Sequence, residues 1–452
     1  MLALTDGQPR WATLAATAAG FVLLGAVVSG AARLTDIRIV IPVAAVWAAV
    51  AISTAGLERI ATLSMMAAAA TAPLNGVRAP LSLAMTDVFL IIAALALFAR
   101  AAVAGTRPNP VPRWFLTGVL LIVVGGCLGT FLADNQGASL ANLLRFTLSS
   151  VGPVLLFWAW RPDRGQLTRF AWVWVGGAVL SAVVALAGAG DASGRPAGLS
   201  GHPNHLAMIS SLAAGLALVL AVTAAGRARA IAVGALAILT LGVLRAGSRA
   251  GLLVLAVTCA VVVVRVAAMR SAPGRVSRLA VVLGGLAGVS LVLVSTGIVD
   301  LGRHNAVSRF LGDVTTRPSD RSRAPLLAAG VQRIEAHPLT GSGFEKALES
   351  HNIYVQAWAA AGLCGLVGLL TIATGVIATG TRRFGDPEAT SLAIAFVAGY
   401  MGYLVGGAFQ NILWDRYLWL HITVVVWVGT AFRAGHPQAD VPASPAPAAL
   451  HR

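Results

Sequence analysis

Charged side chains are scarce in this 452-residue chain, where Asp, Glu, Lys and Arg together make up 11% of the residues. A soluble domain carries about 25% charged residues, so a chain with so little charge and 57% hydrophobic residues is not a soluble domain. Apolar runs of roughly 20 residues, the length needed to cross a bilayer, recur along the whole sequence. The short alternating segments of membrane β-barrels are missing. The sequence therefore predicts an all-α, polytopic membrane protein.

The usual signatures of metal and nucleotide chemistry are also missing. Cys127, Cys259 and Cys364 lie inside apolar segments without CxxC or Cys/His spacing, which indicates unreactive thiols rather than a metal or redox site. Aspartates are dispersed without a DxD pattern, so no metal ion is expected. A P-loop, a GxSxG turn and an HExxH motif are absent as well. We therefore expect no cofactor.

Acidic residues are half as frequent as basic ones, and the formal net charge is +16. Such an excess often indicates nucleic-acid binding. Here the arginines are scattered through short segments between apolar runs, so membrane topology explains most of them and no nucleic-acid partner is expected. With the N-terminus inside, the short inner segments hold more than twice as many arginines as the outer ones. We therefore predict a cytoplasmic (inner) membrane protein with both termini cytoplasmic.

Threading the apolar runs through a bilayer predicts roughly 12 to 14 transmembrane helices. The candidate spans are residues 11–31, 38–55, 57–72, 86–104, 114–132, 138–160, 168–190, 203–224, 229–245, 249–268, 279–298, 352–379, 389–410 and 413–432.

This threading divides the chain into four parts. Residues 1–298 form an N-terminal transmembrane bundle and residues 299–350 form a long external loop. Residues 351–433 form the C-terminal transmembrane helices, and the Pro- and Ala-rich tail 434–452 is expected to be disordered. Within the loop, helical spacing of apolar residues over Ser322–Ala336 predicts a short helix lying at the membrane interface.

Three polar stretches interrupt the apolar chain, and the threading puts all three on the external face. In the first, GRPAGLSGHPN over residues 194–204, Arg195 precedes a predicted helix start. A guanidinium group binds phosphate oxygens through two parallel hydrogen bonds, and the helix start adds backbone N–H groups. Asn204 is a candidate cap or sugar ligand. The alternative is that Arg195 is a solvated loop residue.

The second stretch is AGSRAG over residues 246–251. Ser248 is expected to cap the helix that Arg249 begins. The small residues Gly247, Ala250 and Gly251 are expected to leave room for a bulky anion beside the guanidinium group. The alternative is that Arg249 only extends to the membrane interface, as cationic side chains at helix ends often do.

The third stretch is PLTGSGF over residues 338–344, followed by His351 and Asn352. Its Pro and Gly residues predict a tight turn that folds the loop back toward the membrane. A histidine there can accept a proton from a hydroxyl group near neutral pH. The alternative is that His351 is only a helix cap or an interface residue.

At these motifs the chain resembles the O-antigen ligase and polymerase family of integral membrane glycosyltransferases. The resemblance implies transfer of a glycan from an undecaprenyl (polyprenyl) diphosphate carrier to an acceptor hydroxyl at the outer face of the membrane, in polysaccharide and cell-envelope biogenesis. It implies no metal and no nucleotide sugar. The resemblance also implies that Arg195 and Arg249 hold the diphosphate and that His351 is the general base or positions the acceptor. The remaining candidate substrate-binding residues are Ser248, Asn204, Arg323 and Asn352.

The expected partners are a polyprenyl-diphosphate-linked glycan donor, a glycan, lipid or protein acceptor, and membrane lipids. The alternatives within the same chemistry are a polysaccharide polymerase and a protein O-oligosaccharyltransferase. A different class is a transporter of an anionic or lipid-linked substrate. Transporters place polar groups near the bilayer midplane, between repeated halves, whereas here they gather at one face. A non-catalytic assembly subunit is a third possibility.

Overall fold

A computed structural model of the chain describes residues 56–78, 84–104, 111–188, 195–268, 305–311, 316–345, 350–410 and 415–432, together with Leu413 and isolated positions between 274 and 296. These residues form α-helices joined by turns and short 3-10 segments, and they contain no strand. The helices are α1 (Leu57–Thr71), α2 (Met85–Ala104), α3 (Arg113–Phe131), α4 (Gln136–Trp160), α5 (Arg164–Ala187), α6 (Pro203–Thr223), α7 (Gly226–Arg245), α8 (Arg249–Ala268), α9 (Ala306–Phe310), α10 (Thr316–Ala336), α11 (Ile353–Gly380), α12 (Pro387–Gly407) and α13 (Arg416–Ala431).

Nine of the described helices are long and apolar enough to cross a membrane, namely α2 to α8, α11 and α12. This confirms the prediction of an all-α polytopic membrane protein. The bounds of the predicted spans agree with the observed helices to within a few residues wherever the two can be compared. The candidate spans 11–31 and 38–55 lie outside the described residues, and 279–298 largely does. The total of 12 to 14 helices therefore stays a prediction.

The core of the bundle is built around α6 and α12, which are almost wholly buried among the other helices. Both pack against α8, and α6 also packs against α7. A second tight contact joins α3 to α11 through glycines: a Cβ at Gly125 would collide with the carbonyl oxygen of Ala361, and one at Gly368 with that of Gly118. Small residues of this kind allow two membrane helices to approach closely.

The turn predicted at residues 338–344 does fold back onto the membrane helices. It docks where α11 is kinked, at Ala361 and Gly362, and Gly362 has a φ of +61°. The backbone N–H groups of Ser342 and Gly343 donate to the carbonyls of Ala359 and Ala360 at 2.9 and 3.0 Å. The kink frees carbonyl groups that a straight helix would use internally, and the turn satisfies them.

Phe344 anchors the other end of this turn. Its side chain is fully buried and stacks on Phe146 of α4, with ring centroids 5.8 Å apart. Its backbone N–H donates to Ser139 Oγ at 2.9 Å, and its carbonyl accepts from Asn142 Nδ2 at 3.0 Å. The turn thereby fixes the path of the chain into α11.

The predicted loop helix is present but longer than expected. It begins at Thr316 rather than at Ser322, and Pro325 lies inside it. The extra residues place Asp320 and Arg323 one turn apart on the same helix. α10 packs against α11, and the short α9 packs against α7 and α8. The boundaries of the four predicted parts of the chain remain predictions.

Five helix ends meet at one end of the bundle, which we call the cavity face. α6, α8 and α11 begin there, and α7 and α12 end there, because consecutive spans alternate in direction. The polar stretches around Arg195, Arg249 and His351 each adjoin one of these ends, so residues far apart in sequence lie close together.

Candidate functional site

A cavity of about 520 Å³ opens at the cavity face. Its walls come from the segment before α6, the start of α8, the loop helices α9 and α10, the segment before α11 and the end of α12. Six of the seven candidate residues line it, and Asn352 is the exception. The six are Arg195, Asn204, Ser248, Arg249, Arg323 and His351.

Arg195 is held in place by two hydrogen bonds at the edge of the cavity. Its Nε donates to the carbonyl of Ala246 at 2.9 Å, and its Nη2 donates to Asn204 Oδ1 at 3.0 Å. Asn204 is only 6% exposed and lies in the first turn of α6, which His202 rather than Asn204 caps. Asn204 therefore orients the guanidinium group of Arg195, a role that the sequence did not suggest.

Ser248 caps α8 as predicted, because its Oγ accepts from the N–H of Gly251 at 3.2 Å. Gly247 turns the chain into the helix with a φ of +62°, and both it and Ala250 line the cavity. The expected role of Gly251 as free space for the ligand was wrong, because a Cβ there would collide with Ala207 of α6. Gly251 serves helix packing instead.

Arg249 forms an ion pair with Asp320 of α10, and both residues line the cavity. The two side chains are 35% and 47% exposed, so water reaches the pair. Exposed pairs of this kind contribute only about 0.2–1 kcal/mol. An anionic ligand can therefore replace the carboxylate at little cost.

Two further arginines come from the loop helices. Arg323 of α10 is half-buried, and burial lowers its pKa; the positive charges of Arg249 and Arg309 lower it further, and Asp320 opposes them. Arg309 of α9 is only 7% exposed and lines the same cavity. The sequence did not single out Arg309, because it lies in a loop stretch that lacks a Gly- or Pro-rich motif.

His351 has an unusual backbone for a residue other than glycine, with a φ of +53°. This left-handed conformation costs about 1–2 kcal/mol, although histidine adopts it more readily than most residues. It places His351 in the cavity wall next to the buried Ser350. Strained residues of this kind cluster at functional sites.

Asn352 lies outside the cavity lining. Its Oδ1 accepts from the N–H groups of Tyr354 and Val355 at 3.0 and 3.1 Å, which makes it the N-cap of α11. The cap fixes the start of α11 directly after His351. A role of Asn352 in substrate binding stays a prediction, and this geometry favours a positioning role.

One side of the cavity is largely apolar, and the sequence did not predict it. Phe310, Leu327 and Phe409 line the cavity and are 60%, 39% and 53% exposed. Gln410, which is 3% exposed, lies beside Phe409 at the end of α12. The cavity thus combines a strongly basic side with an apolar side, and an amphiphilic anion fits such a combination.

The chemistry of the cavity is carried by guanidinium, imidazole, carboxylate and amide groups. Among the described residues, no three His, Cys, Asp or Glu side chains come together as a set able to hold a metal ion. The cavity can bind negative charge at several points and can accept a proton at His351.

A comparison with known families matches a segment of the chain that includes α8 to α10. Residues 234–370 match the family described as O-antigen ligase. The chain carries an O-antigen ligase domain. The matched segment runs from α7 into α11, so the ligase domain supplies Arg249, Arg309, Arg323 and His351 to the cavity, and Arg195 precedes it. A comparison with curated proteins found no match. The domain implies a glycan-transfer function in the membrane.

Proposed function

We propose that this protein transfers a glycan from a polyprenyl diphosphate carrier, such as undecaprenyl diphosphate, to an acceptor hydroxyl at the outer face of the cytoplasmic membrane. No metal ion or cofactor is needed in this reaction. The observation that carries the proposal is that Arg195, Arg249 and His351, which come from three distant stretches of the chain, line one cavity. The O-antigen ligase domain supports the same chemistry.

The basic side of the cavity binds the donor diphosphate. Arg195 is preoriented by Asn204 and by the carbonyl of Ala246, so its guanidinium group needs little rearrangement when the anion arrives. Negative charge grows on the diphosphate as its bond to the sugar breaks. Fixed positive groups stabilise that charge more in the transition state than in the bound donor, which is the condition for catalysis.

His351 serves the acceptor. The acceptor oxygen attacks the anomeric carbon of the donor sugar while the bond from that carbon to the diphosphate oxygen breaks. The hydroxyl proton passes to the imidazole ring of His351, and polyprenyl diphosphate leaves with the electron pair of the broken bond. The left-handed backbone at His351 and the Asn352 cap fix the position of His351 in the cavity lining, which also contains the arginines.

The apolar side of the cavity suits a lipid-linked donor. Phe310 and Phe409 are both more than half exposed and border the same cavity as the arginines. A prenyl chain bound along them remains in contact with membrane lipids while its diphosphate reaches Arg249. Because the short inner segments are richer in arginine, we propose that the cavity faces outward and that both termini are cytoplasmic.

Three acceptor classes share this donor chemistry: a lipid, a growing glycan and a protein. They correspond to a ligase, a polymerase and a protein O-oligosaccharyltransferase. The material that accumulates in cells lacking the gene separates the first two. Full-length carrier-linked chains indicate a ligase, and single carrier-linked repeat units indicate a polymerase.

Replacing each proposed catalytic residue tests the function in membranes. We expect Arg195→Ala, Arg249→Ala and His351→Ala each to abolish glycan transfer while the protein still inserts. Arg321→Ala is the matched control, because Arg321 lies exposed on α10 outside the cavity lining. Substrate flux across vesicles without covalent transfer favours the transporter alternative. Normal transfer in all three variants refutes the proposal.

A further inference from the structure

The charge of the cavity exceeds what the donor alone requires. Among the described residues, the lining contains four arginines and one carboxylate, Asp320, which is an excess of three positive charges when His351 is neutral. The donor diphosphate is esterified at both ends and carries two negative charges. Once the glycan has left, the freed terminal phosphate gains further charge, and the product carries about three in total. The cavity therefore matches the departing diphosphate better than the bound donor.

Arg309 supplies one of these positive charges, and the packing and capping of α9 fix its position. It is 7% exposed and lies on α9, which packs against α7 and α8. Asn305 caps α9, with its Oδ1 accepting from the N–H groups of Val307 and Ser308 at 3.0 Å each. Burying a guanidinium group is costly, and a loop arginine that serves only solubility stays in water.

The guanidinium groups near Arg309 repel one another, and a bound anion would reduce this repulsion. Within the part of the chain that the structure describes, Arg309 and Arg249 both oppose the positive charge of Arg323, and Asp320 favours it. A ligand that brings two phosphoryl groups relieves this repulsion at several guanidinium groups at once. One phosphoryl group cannot reach all four arginines with two-point contacts, which points to a diphosphate rather than a monophosphate.

We propose that Arg309 is a further diphosphate-contacting residue of this cavity, and that it stabilises the charge developing on the carrier diphosphate as the glycan leaves. This inference rests on the proposed function. It assigns to the loop helix α9 a direct part in donor cleavage. Because the contact strengthens as charge develops, losing Arg309 lowers kcat more than it raises KM.

Binding of two soluble probes to the full-length protein in nanodiscs tests the contact without any need for transfer. The probes are farnesyl diphosphate and farnesyl monophosphate. Arg309→Gln should weaken diphosphate binding roughly 10- to 100-fold, the range for one charged hydrogen-bonding partner. Monophosphate binding should change less than about 3-fold, because the other arginines suffice for one phosphoryl group. Arg321→Gln, on exposed α10 surface, should change neither.

Arg309→Lys keeps the test valid if the glutamine variant misfolds. Lysine retains the charge without the two-point geometry, so we expect a smaller loss that is still specific for the diphosphate. Diphosphate affinity unchanged in folded Arg309→Gln, or equal losses for both probes in Arg309→Lys, overturns the inference. If the wild-type protein binds diphosphate through Arg309 but transfers no glycan, the proposed function is wrong and the proposed diphosphate contact of Arg309 is still supported.

Discussion

Removal of the Asp320 carboxylate should strengthen diphosphate binding. Asp320 pairs with Arg249, and both residues line the same cavity. The donor must therefore displace this carboxylate before Arg249 can bind a phosphoryl group. In Asp320→Asn that competition is gone, and the cavity gains a further unit of net positive charge.

The exposure of the pair sets the size of the effect. The Arg249 and Asp320 side chains are 35% and 47% exposed, so solvent screens their attraction. Such a pair is worth about 0.2–1 kcal/mol, which corresponds to farnesyl diphosphate binding roughly 1.5- to 5-fold more tightly in the variant. Because salt screens exposed charges, the gain should shrink between low and high ionic strength.

Calorimetric titration of the nanodisc-embedded protein with farnesyl diphosphate, at two salt concentrations, measures this effect. Glu335→Gln is the control, because Glu335 is an exposed carboxylate on the same helix outside the cavity lining. Weaker binding in Asp320→Asn would contradict this prediction, since it would mean that Asp320 organises α10 for the ligand rather than competing with it.

Two further predictions concern the supports of the site. Asn352→Ala removes the cap of α11 and should lower stability by about 0.5–2 kcal/mol, measured by thermal unfolding in detergent; Asn352→Asp keeps a capping oxygen and should retain both stability and transfer. If Asn352→Asp is stable but inactive, Asn352 binds substrate rather than caps. Phe344→Ala should cost about 3–5 kcal/mol, since this ring is fully buried against Phe146; a change below 1 kcal/mol contradicts its role as an anchor.

The membrane helices were predictable because a single physical requirement, an apolar run long enough to cross a bilayer, specifies them. Alternating direction then puts every second connection on one face. That is why Arg195, Arg249 and His351 were expected to share a face, and the structure brings all three into one cavity. Ser248 was predictable as a cap for a different, local reason, since a Ser directly before an apolar helix is a typical N-cap.

Most of the cavity residues that could not be predicted from the sequence lie in the long loop. Arg309 lies on a helix of five residues, too short to show a periodic pattern, and Asp320 precedes the point where the loop helix was expected to begin. Gln410 follows α12 with no motif around it. The places of Arg309 and Asp320 depend on how the loop packs on α7, α8 and α11, and such tertiary contacts leave no trace in local periodicity. Gly251 was misinterpreted for the same reason, because its neighbour Ala207 belongs to another helix.

In the proposed reaction, this cavity transfers a glycan and releases polyprenyl diphosphate. The most direct measurement follows both products of a carrier-linked glycan incubated with purified wild-type protein and with Arg249→Ala. We expect one polyprenyl diphosphate to be released for each glycan joined to the acceptor, and transfer to fall about 100-fold or more in the variant. Transfer by Arg249→Ala at the wild-type rate, or release of the carrier as a monophosphate, would contradict it.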